Sequence, residues 1–234
     1  MVTRQQLAQR PGRTRAERGS ISAEQILAGA KALAQEIGLD ALSMPRLAAH
    51  LGIGVTSIYW YFRNKDALIA ALTVDAARSF HPLIVPAAEG TWQDSLFETF
   101  TRLREAMRAD DLACDLLFMR GARAGEDALA YFWPGAEAGL ARMVAAGFTP
   151  AEALQNITIL SLYNRGCVVL ERQMRRAGVA PDVPTPVPAD YPLLSAALEH
   201  QNTRGVSDEA HAAQLRAIIE GMALRLDARK AAHP

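Results

Sequence analysis

The sequence contains little cysteine. Cys114 and Cys167 are the two cysteines among 234 residues, and neither belongs to a CxxC or Cys/His pair with metal-ligand spacing. A disulfide framework needs several paired cysteines, and a structural zinc site needs closely spaced Cys or His ligands. We therefore expect two buried free thiols and no metal site.

Long apolar runs and strand-like alternation are also missing. No run of eighteen uninterrupted apolar residues occurs, and the first twenty residues are polar and carry five arginines rather than the apolar segment of a signal peptide. We expect no membrane span and a cytoplasmic location. Half of the residues are nevertheless apolar, which is enough for a sizeable core.

The chain has no net charge, but its charges are unevenly distributed. The 25 Lys and Arg residues balance the 25 Asp and Glu residues. Residues 1–65 hold nine basic and four acidic residues, a surplus of five positive charges that the remaining chain offsets. Such asymmetry is expected when one end of a protein meets a phosphate backbone, although a solubilising tail would look the same.

Apolar residues recur at helical spacing through most of the chain and predict an all-α fold. Order is expected to begin at Ser22, where Ser22 and Gln25 fit a capping box, and the first helix should end at Gly38. A later helix from Asn64 is expected to stop near Phe80, before Pro82. Further helices are predicted at about 92–109, 111–122, 126–146, 150–176, 192–200 and 207–229, with an extended proline-rich loop at 181–192.

Two short helices follow the first one and are joined by a glycine-containing turn. Ser43 can cap a helix that ends at Gly52, and the next helical segment runs from Val55 to Phe62. Short helices separated by about three or four residues form a helix-turn-helix unit. In DNA-binding proteins, the second helix of this unit enters the major groove.

Four consecutive aromatic residues, Tyr59 to Phe62, end this second helix. Successive residues of a helix are about 100° apart, so the four rings cannot all face one core. A hydrophobic cluster is the alternative interpretation, but exposed aromatics near Lys65 favour contacts with bases, thymine methyls or phosphates. Ile58 and Phe62, four residues apart, should hold the opposite face against the core.

These residues resemble the DNA-binding head of the TetR family of transcriptional regulators. The resemblance runs from Ile26 to Leu68 and rests on Gly38, Leu42, Ser43, Leu47-Ala48, Leu51-Gly52, Ile58 to Phe62 and Asn64 to Leu68. The C-terminal part is similar to that of the tetracycline repressors through looser motifs: Trp92-Gln93-Asp94, Gly147-Phe148, Ala151 to Leu154, Gly166-Cys167-Val168 and Pro192-Leu193-Leu194. The resemblance implies a flexible basic arm (1–20), a three-helix helix-turn-helix head (21–66) and a helical ligand-binding and dimerisation core (67–230).

The resemblance also implies which residues contact operator DNA. The family's base- and phosphate-contacting positions correspond here to Ser43, Arg46, Val55, Thr56, Ser57, Tyr59, Trp60, Tyr61 and Lys65. Met44, Pro45 and Val55 differ from the residues of the tetracycline repressors at these positions. We therefore expect a different operator sequence.

Candidate effector-binding residues are bulky or polar side chains on stretches predicted to face inward. They are His81, Phe100, Leu103, Leu117, Arg120, Trp133, Asn156, Tyr163 and Arg165. His81 falls where the tetracycline repressors have a drug-contacting histidine, although a capping or packing role is the alternative. The region of their magnesium-binding histidine reads Cys114 to Phe118 and has no histidine, while Glu171 lies near their metal-holding acidic residue. We therefore expect an effector other than a magnesium–tetracycline complex.

The function implied by the resemblance is that of a homodimeric repressor, which a small-molecule effector releases from a near-palindromic double-stranded DNA operator. The helices at 150–176 and 207–229 are expected to pair with their copies through Leu154, Ile157, Leu160, Leu162, Val168, Val169, Leu215, Ile218, Ile219, Met222 and Leu226. A transcriptional activator is the first alternative. An all-helical carrier or enzyme is the second, but the sequence has no nucleophile–His–acid arrangement and no nucleotide fingerprint, so we expect no catalysis and no cofactor.

Overall fold

A computed structural model describes residues 21–86, 90–119, 125–178, 190–200 and 207–232. These residues form helices and contain no strand, which confirms the predicted all-α fold. The helices are α1 (Ala23–Ile37), α2 (Met44–Leu51), α3 (Val55–Tyr59), α4 (Lys65–Ile84), α5 (Trp92–Ala109), α6 (Asp111–Cys114), α7 (Glu126–Leu129), α8 (Trp133–Ala146), α9 (Pro150–Arg176), α10 (Pro192–His200) and α11 (Asp208–Ala232), with a π-helical turn at Asp115–Met119. The arm predicted at 1–20, most of the loop predicted at 181–192, and Arg120 lie outside the described residues.

Helix α1 begins and ends as its sequence predicts. The Ser22 hydroxyl accepts a hydrogen bond from the Gln25 backbone N–H, and the Gln25 side chain accepts one from the Ser22 N–H, which completes the capping box. Gly38 ends the helix with φ +81°, a conformation that favours glycine. The buried face of α1 packs against α2 and α4.

The turn between α2 and α3 depends on Gly52. Its left-handed backbone (φ +66°) lets its N–H reach the carbonyls of the last turn of α2, and Gly54 then opens α3. Helix α3 ends at Tyr59, three residues earlier than predicted, and the chain continues in a tight turn to Phe62. The reason is that Asn64 adopts an extended conformation to cap the next helix, so the chain must leave the helical conformation before it.

Helix α4 joins the head to the rest of the molecule. The Asn64 side-chain oxygen accepts from the Ala67 N–H at 2.8 Å, and the helix continues through Pro82 to Ile84. The prediction that Pro82 stops the helix is wrong: Pro82 lies in the last turn of α4, and its ring removes one backbone hydrogen bond without ending the helix. By length and composition alone α4 could cross a membrane, but it packs against α1, α5 and α7 as a core helix does.

Two of the predicted helices are interrupted. The segment predicted at 111–122 is helical only to Cys114 and then widens into the π-helical turn. The segment predicted at 126–146 breaks at 130–132, and α8 starts afresh with Pro134 in its first turn, where the missing proline N–H is tolerated. Helices α8 and α9 form an antiparallel hairpin, because Gly147 turns the chain with φ +112° and Thr149 caps α9.

Helices α9 and α11 bury much of the apolar face that was predicted to meet a second copy. Leu160, Val168, Leu215, Ile219, Met222 and Leu226 are all buried within the protomer. These helices pack on α5 as well as on each other, so their inner faces form the core of a single chain. Among the exposed apolar residues of the same helices, Ile159, Leu162, Leu170 and Leu224 lie on another face, and Leu154 is exposed as well.

Candidate DNA-binding surface and effector cavity

Helix α3 divides its side chains between the core of the head and the solvent. Ile58 is fully buried, and Val55 and Phe62 pack partly against the same core. Trp60 is 83% exposed, while Tyr59 and Tyr61 are 47% exposed. The head therefore presents a protruding aromatic surface at the end of its second helix-turn-helix element.

Several of the predicted DNA-contacting residues also form hydrogen bonds within the head. The Tyr61 hydroxyl donates to the Ile21 carbonyl at 2.7 Å, and Lys65 Nζ donates to the Asp40 carbonyl at 3.2 Å. These bonds fix the segments on either side of α1 next to α3.

The first turn of α2 is organised by two further candidates, Ser43 and Arg46. The Ser43 hydroxyl accepts from the Arg46 N–H at 3.4 Å and so caps the helix. The Arg46 guanidinium in turn donates to the Ala41 carbonyl at 3.0 Å. Thr56 and Ser57 lie in the first turn of α3, where small side chains permit close approach to a groove.

A cavity of about 320 Å³ lies in the core beyond α4. It is lined by the end of α4, one face of α5, the π-helical turn, α7, α8 and α9. The lining residues are Ile84, Pro86, Trp92, Ser95, Leu96, Thr99, Phe100, Leu103, Leu117, Phe118, Leu129, Phe132, Gly135, Ala136, Gly139, Arg142, Met143, Ile157, Ser161 and Arg165. The volume and the apolar, aromatic lining suit a small organic molecule.

The structure brings four of the predicted effector-binding residues together in this cavity: Phe100, Leu103, Leu117 and Arg165. Sequence reasoning missed most of the lining on α8. The signal available was the spacing of Gly135 and Gly139, four residues apart, because small residues on one face of a helix leave room beside it.

The other predicted effector-binding residues that the structure describes lie elsewhere. His81 Nδ1 lies 2.7 Å from the Tyr131 carbonyl oxygen, and Trp133 is 60% exposed on the surface. Asn156 lines a separate hollow between α9 and α11. Tyr163 stacks on His211, with ring centroids 5.3 Å apart.

Tyr163 and His211 belong to a buried polar cluster between α9 and α11. His211 is 2% exposed, and its Nε2 lies 2.9 Å from the Asn164 side-chain oxygen. Burial, reinforced by the positive charges of Arg104 and Arg108, lowers the pKa of His211 to about 4. The imidazole is therefore neutral at physiological pH, and its Nε2–H donates a hydrogen bond to the Asn164 side-chain oxygen.

Glu171 is the residue nearest to the acidic metal-holding position of the tetracycline repressors, but its surroundings do not suit a cation. Its carboxylate lies 2.6 Å from the Arg104 guanidinium and 3.1 Å from that of Arg108. Two arginines already compensate the carboxylate charge, and no group of three His, Cys, Asp or Glu residues in the described part of the chain could hold a metal ion. The residues present do not fit a bound magnesium.

Helix α4 is in direct contact with the segment that lines the cavity. The Tyr131 carbonyl lies 2.7 Å from His81 Nδ1, and the Arg78 Nε donates to the Tyr131 hydroxyl at 3.3 Å. A Cβ at Gly135 would lie 2.7 Å from the Ile84 carbonyl oxygen, so α8 and α4 touch at the backbone. The cavity wall and α4 are therefore in direct contact.

The molecule has an exposed helix-turn-helix head and a core whose cavity suits a small organic ligand, and one continuous helix joins the two. This arrangement defines a ligand-responsive DNA-binding regulator. A family model for the tetR family of bacterial regulatory proteins matches residues 26–72, and a model for the tetracyclin repressor-like C-terminal domain matches residues 85–226. The second match alone covers more than half of the chain. The chain belongs to the TetR family of bacterial regulatory proteins and is a ligand-responsive transcriptional repressor.

Individual relatives agree with this assignment. The chain is 38% identical over 213 residues to an HTH-type transcriptional repressor of Mycobacterium tuberculosis, covering 86% of this chain and 80% of the relative. It is 30% identical over 207 residues to the class A tetracycline repressor of transposon 1721 from Escherichia coli, covering 86% and 89% of the two chains. The crystal structure of TetR from Acinetobacter baumannii shares the fold with a TM-score of 0.67 at 24% identity, over 88% of this chain and 98% of that chain.

Proposed function

We propose that this repressor acts in the cytoplasm as a homodimer, binds a near-palindromic operator through α3, and is released when a small organic effector occupies the core cavity. The observation that carries the proposal is the path of α4. This helix starts at the Asn64 cap beside the DNA-binding surface and ends at Ile84 in the cavity wall.

The DNA-contacting surface of the proposal consists of the exposed residues of α3 and the first turn of α2. Thr56, Tyr59 and Trp60 would meet base edges and sugar-phosphate in the major groove. Arg46 and Lys65 would contact phosphates, because they carry positive charges on α2 and α4, the helices before and after α3. The surface is completed by residues that would pack closely against the DNA or contact its backbone: Ser43, Val55, Ser57 and Tyr61.

The dimer interface is proposed to use the outer faces of α9 and α11. On α9, Ile159, Leu162, Gly166 and Leu170 follow one another at helical spacing and are exposed. On α11 the corresponding exposed residues are Ala213, Ala217, Leu224 and Ala228, with the half-buried Gly221 on the same face, and all are small apart from Leu224. Small residues allow close approach of helices, and two such helices from each copy form a four-helix bundle.

The effector would release DNA by changing the relative positions of the two heads. A two-fold dimer must hold its recognition helices about 34–36 Å apart to reach successive major grooves. An effector between α4 and α8 would displace α4 and alter that separation. Changing operator occupancy from nearly full to nearly empty requires a preference of about 5 kcal/mol for the released conformation. The cavity is proposed to bind the effector without turning it over.

Nuclease footprinting on the upstream region of the protein's own gene tests the operator proposal. We expect protection of two inverted half-sites separated by about 10 base pairs or a multiple of it. Protection that overlaps the promoter core supports repression, whereas protection only upstream of it supports the activator alternative. A single, asymmetric half-site would contradict the dimeric arrangement.

A further inference from the structure

The charged residues that line the effector cavity are all positive. Its lining includes two arginines, Arg142 and Arg165, and among the described lining residues there is no aspartate or glutamate. The remaining polar groups are the hydroxyls of Ser95, Thr99 and Ser161. Arg165 places a positive charge at the wall of an otherwise apolar cavity, and this favours a ligand that brings a negative charge.

The two arginines lie towards opposite ends of the cavity. In the antiparallel hairpin, Gly139 of α8 faces Ile157 of α9, because a Cβ at Gly139 would lie 3.6 Å from the Ile157 side chain. Arg142 follows Gly139 towards the loop, whereas Arg165 follows Ile157 away from it. At 1.5 Å per residue, the cavity extends about 16 Å along α5 from Trp92 to Leu103.

The surroundings of the two guanidinium groups differ. Arg142 donates a hydrogen bond to the Gly90 carbonyl at 2.7 Å. The guanidinium carbon of Arg165 lies 5.3 Å from the centre of the Phe118 ring, and within the described residues it has no carboxylate partner. A guanidinium held over an aromatic ring keeps its N–H edge available for a planar oxyanion.

We propose that the effector is an elongated, largely apolar molecule with one anionic group, of the carboxylate, phenolate or sulfonate type, and that Arg165 binds this group. The proposal rests on the proposed function of the cavity and specifies the ligand class. The apolar body of the effector lies along α5 and α8, and its anionic end lies beside α9.

Arg165 also connects the anionic group to the DNA-binding head. The Phe118 ring beneath its guanidinium contacts the Phe80 ring of α4, with centroids 5.8 Å apart. Phe80 is buried within α4. An anion bound at the Arg165 guanidinium therefore acts on a side chain that is linked through Phe118 to the helix that carries the head.

Two fluorescent dyes with the same aromatic frame test the proposal. 1-Anilinonaphthalene-8-sulfonate carries a sulfonate, and N-phenyl-1-naphthylamine lacks it. We expect the full-length protein to bind the sulfonate dye more tightly, and Arg165→Met to weaken that binding by about tenfold or more, as loss of a charge-assisted hydrogen bond does. Affinity for the neutral dye should stay within about twofold.

Two further variants complete the experiment: a control substitution of an arginine outside the cavity, and a substitution that fills the cavity. Arg216 lies over the Phe97 ring at 4.5 Å, outside the cavity lining, so Arg216→Met should change neither affinity. Gly139→Phe, or Ser161→Leu if the first variant does not fold, should abolish binding of both dyes while operator binding is retained. The sulfonate dye should also release operator DNA from the wild-type protein and from Arg216→Met, but not from Arg165→Met.

The outcomes separate the ligand class from the role of the cavity. If Gly139→Phe loses both dyes but Arg165→Met binds them as the wild type does, the assignment of the anionic group to Arg165 is wrong and the cavity remains the effector site. Equal affinity of the wild-type protein for the two dyes would likewise overturn the proposal. If both dyes still bind to the folded cavity-filling variants, the proposed function of the cavity itself is contradicted.

Discussion

Trp60 combines large exposure with a position directly after α3, the second helix of the helix-turn-helix. It is 83% exposed, and its ring forms no part of the head's core. Among the predicted DNA-contacting residues it is therefore better suited to a test than Tyr61 or Lys65, whose side chains also hold the head together. A substitution at Trp60 can remove a DNA contact without removing a structural one.

We predict that Trp60→Ala weakens operator binding by about tenfold and leaves thermal stability unchanged, because truncating an exposed aromatic contact costs about 1–3 kcal/mol of binding free energy. Fluorescence anisotropy with operator DNA and a melting curve measure the two quantities. Trp133→Ala is the control, since Trp133 is also exposed but lies on α8. Equal effects of the two substitutions would exclude a direct role for Trp60.

His211 makes stability depend on pH. Its pKa is lowered from 6.5 to about 4 by burial and by nearby arginines, so between these values the unfolded chain binds a proton that the folded protein does not. Stability contributed by neutral His211 is therefore complete above about pH 6.5 and decreases as the pH falls towards 4.

We predict that the free energy of unfolding falls by about 2 kcal/mol between pH 7 and pH 5, since each pKa unit corresponds to about 1.36 kcal/mol. Denaturant titrations at the two pH values measure the change. His211→Gln retains a donor for Asn164 without a titrating group, and we expect its stability to change little over the same range. A wild-type protein as stable at pH 5 as at pH 7 would refute this interpretation of the buried cluster.

The contact between α4 and α8 is the element-scale feature on which the mechanism depends. Gly135 has no space for a Cβ beside the Ile84 backbone, whereas Gly139, one turn later, is in ordinary contact distance of Ile157. Replacing a glycine by alanine inside a helix otherwise stabilises a protein by about 1 kcal/mol. Alanine substitutions at Gly135 and Gly139 should therefore change the free energy of unfolding in opposite directions.

We predict that Gly135→Ala destabilises the protein by about 1–3 kcal/mol, as overpacking does, and weakens operator binding because it displaces α4. Gly139→Ala should be neutral or stabilising and should bind operator normally. Denaturant unfolding and anisotropy distinguish the two variants. If Gly135→Ala has the same stability and operator affinity as Gly139→Ala, α8 does not constrain the position of α4.

The elements differ in how far the sequence could predict them. The ends of α1 and the start of α4 were predictable, because their caps use local contacts of Ser22, Gln25 and Asn64. The continuation of α4 through Pro82 and the break before α8 were not, because they depend on packing between distant helices. The cavity lining was also predictable only in part. The sequence predicts Phe100 and Arg165, but it does not predict Gly135 and Gly139, because these glycines line the cavity only where neighbouring helices pack around them. The domain boundary near residue 66 remains a prediction.

At the scale of the whole molecule, the proposed function requires two copies. A single head contacts one half-site, and a near-palindromic operator presents two. In the single chain, Leu162 on α9 is 62% exposed and Leu224 on α11 is 70% exposed. Such exposure of large apolar side chains is expected where a second copy would cover them.

We predict that Leu162→Glu converts the dimer into a monomer and lowers operator affinity by at least about a hundredfold, because a buried unpaired charge costs several kcal/mol. Light scattering should give a mass of 25.3 kDa for the variant and twice that for the wild type. Val144→Glu, at an exposed apolar position of α8, should remain dimeric. A dimeric Leu162→Glu protein would move the interface away from α9.

Sequence-specific DNA binding is the central claim, and a salt series tests it most directly. The purified protein is titrated against a labelled fragment of its own upstream region at several salt concentrations, with an unrelated fragment as competitor. We predict tight binding that resists the competitor and weakens steeply with salt, as phosphate contacts by basic residues require. Equal and weak binding to both fragments at every salt concentration would contradict the assignment of an operator in this region.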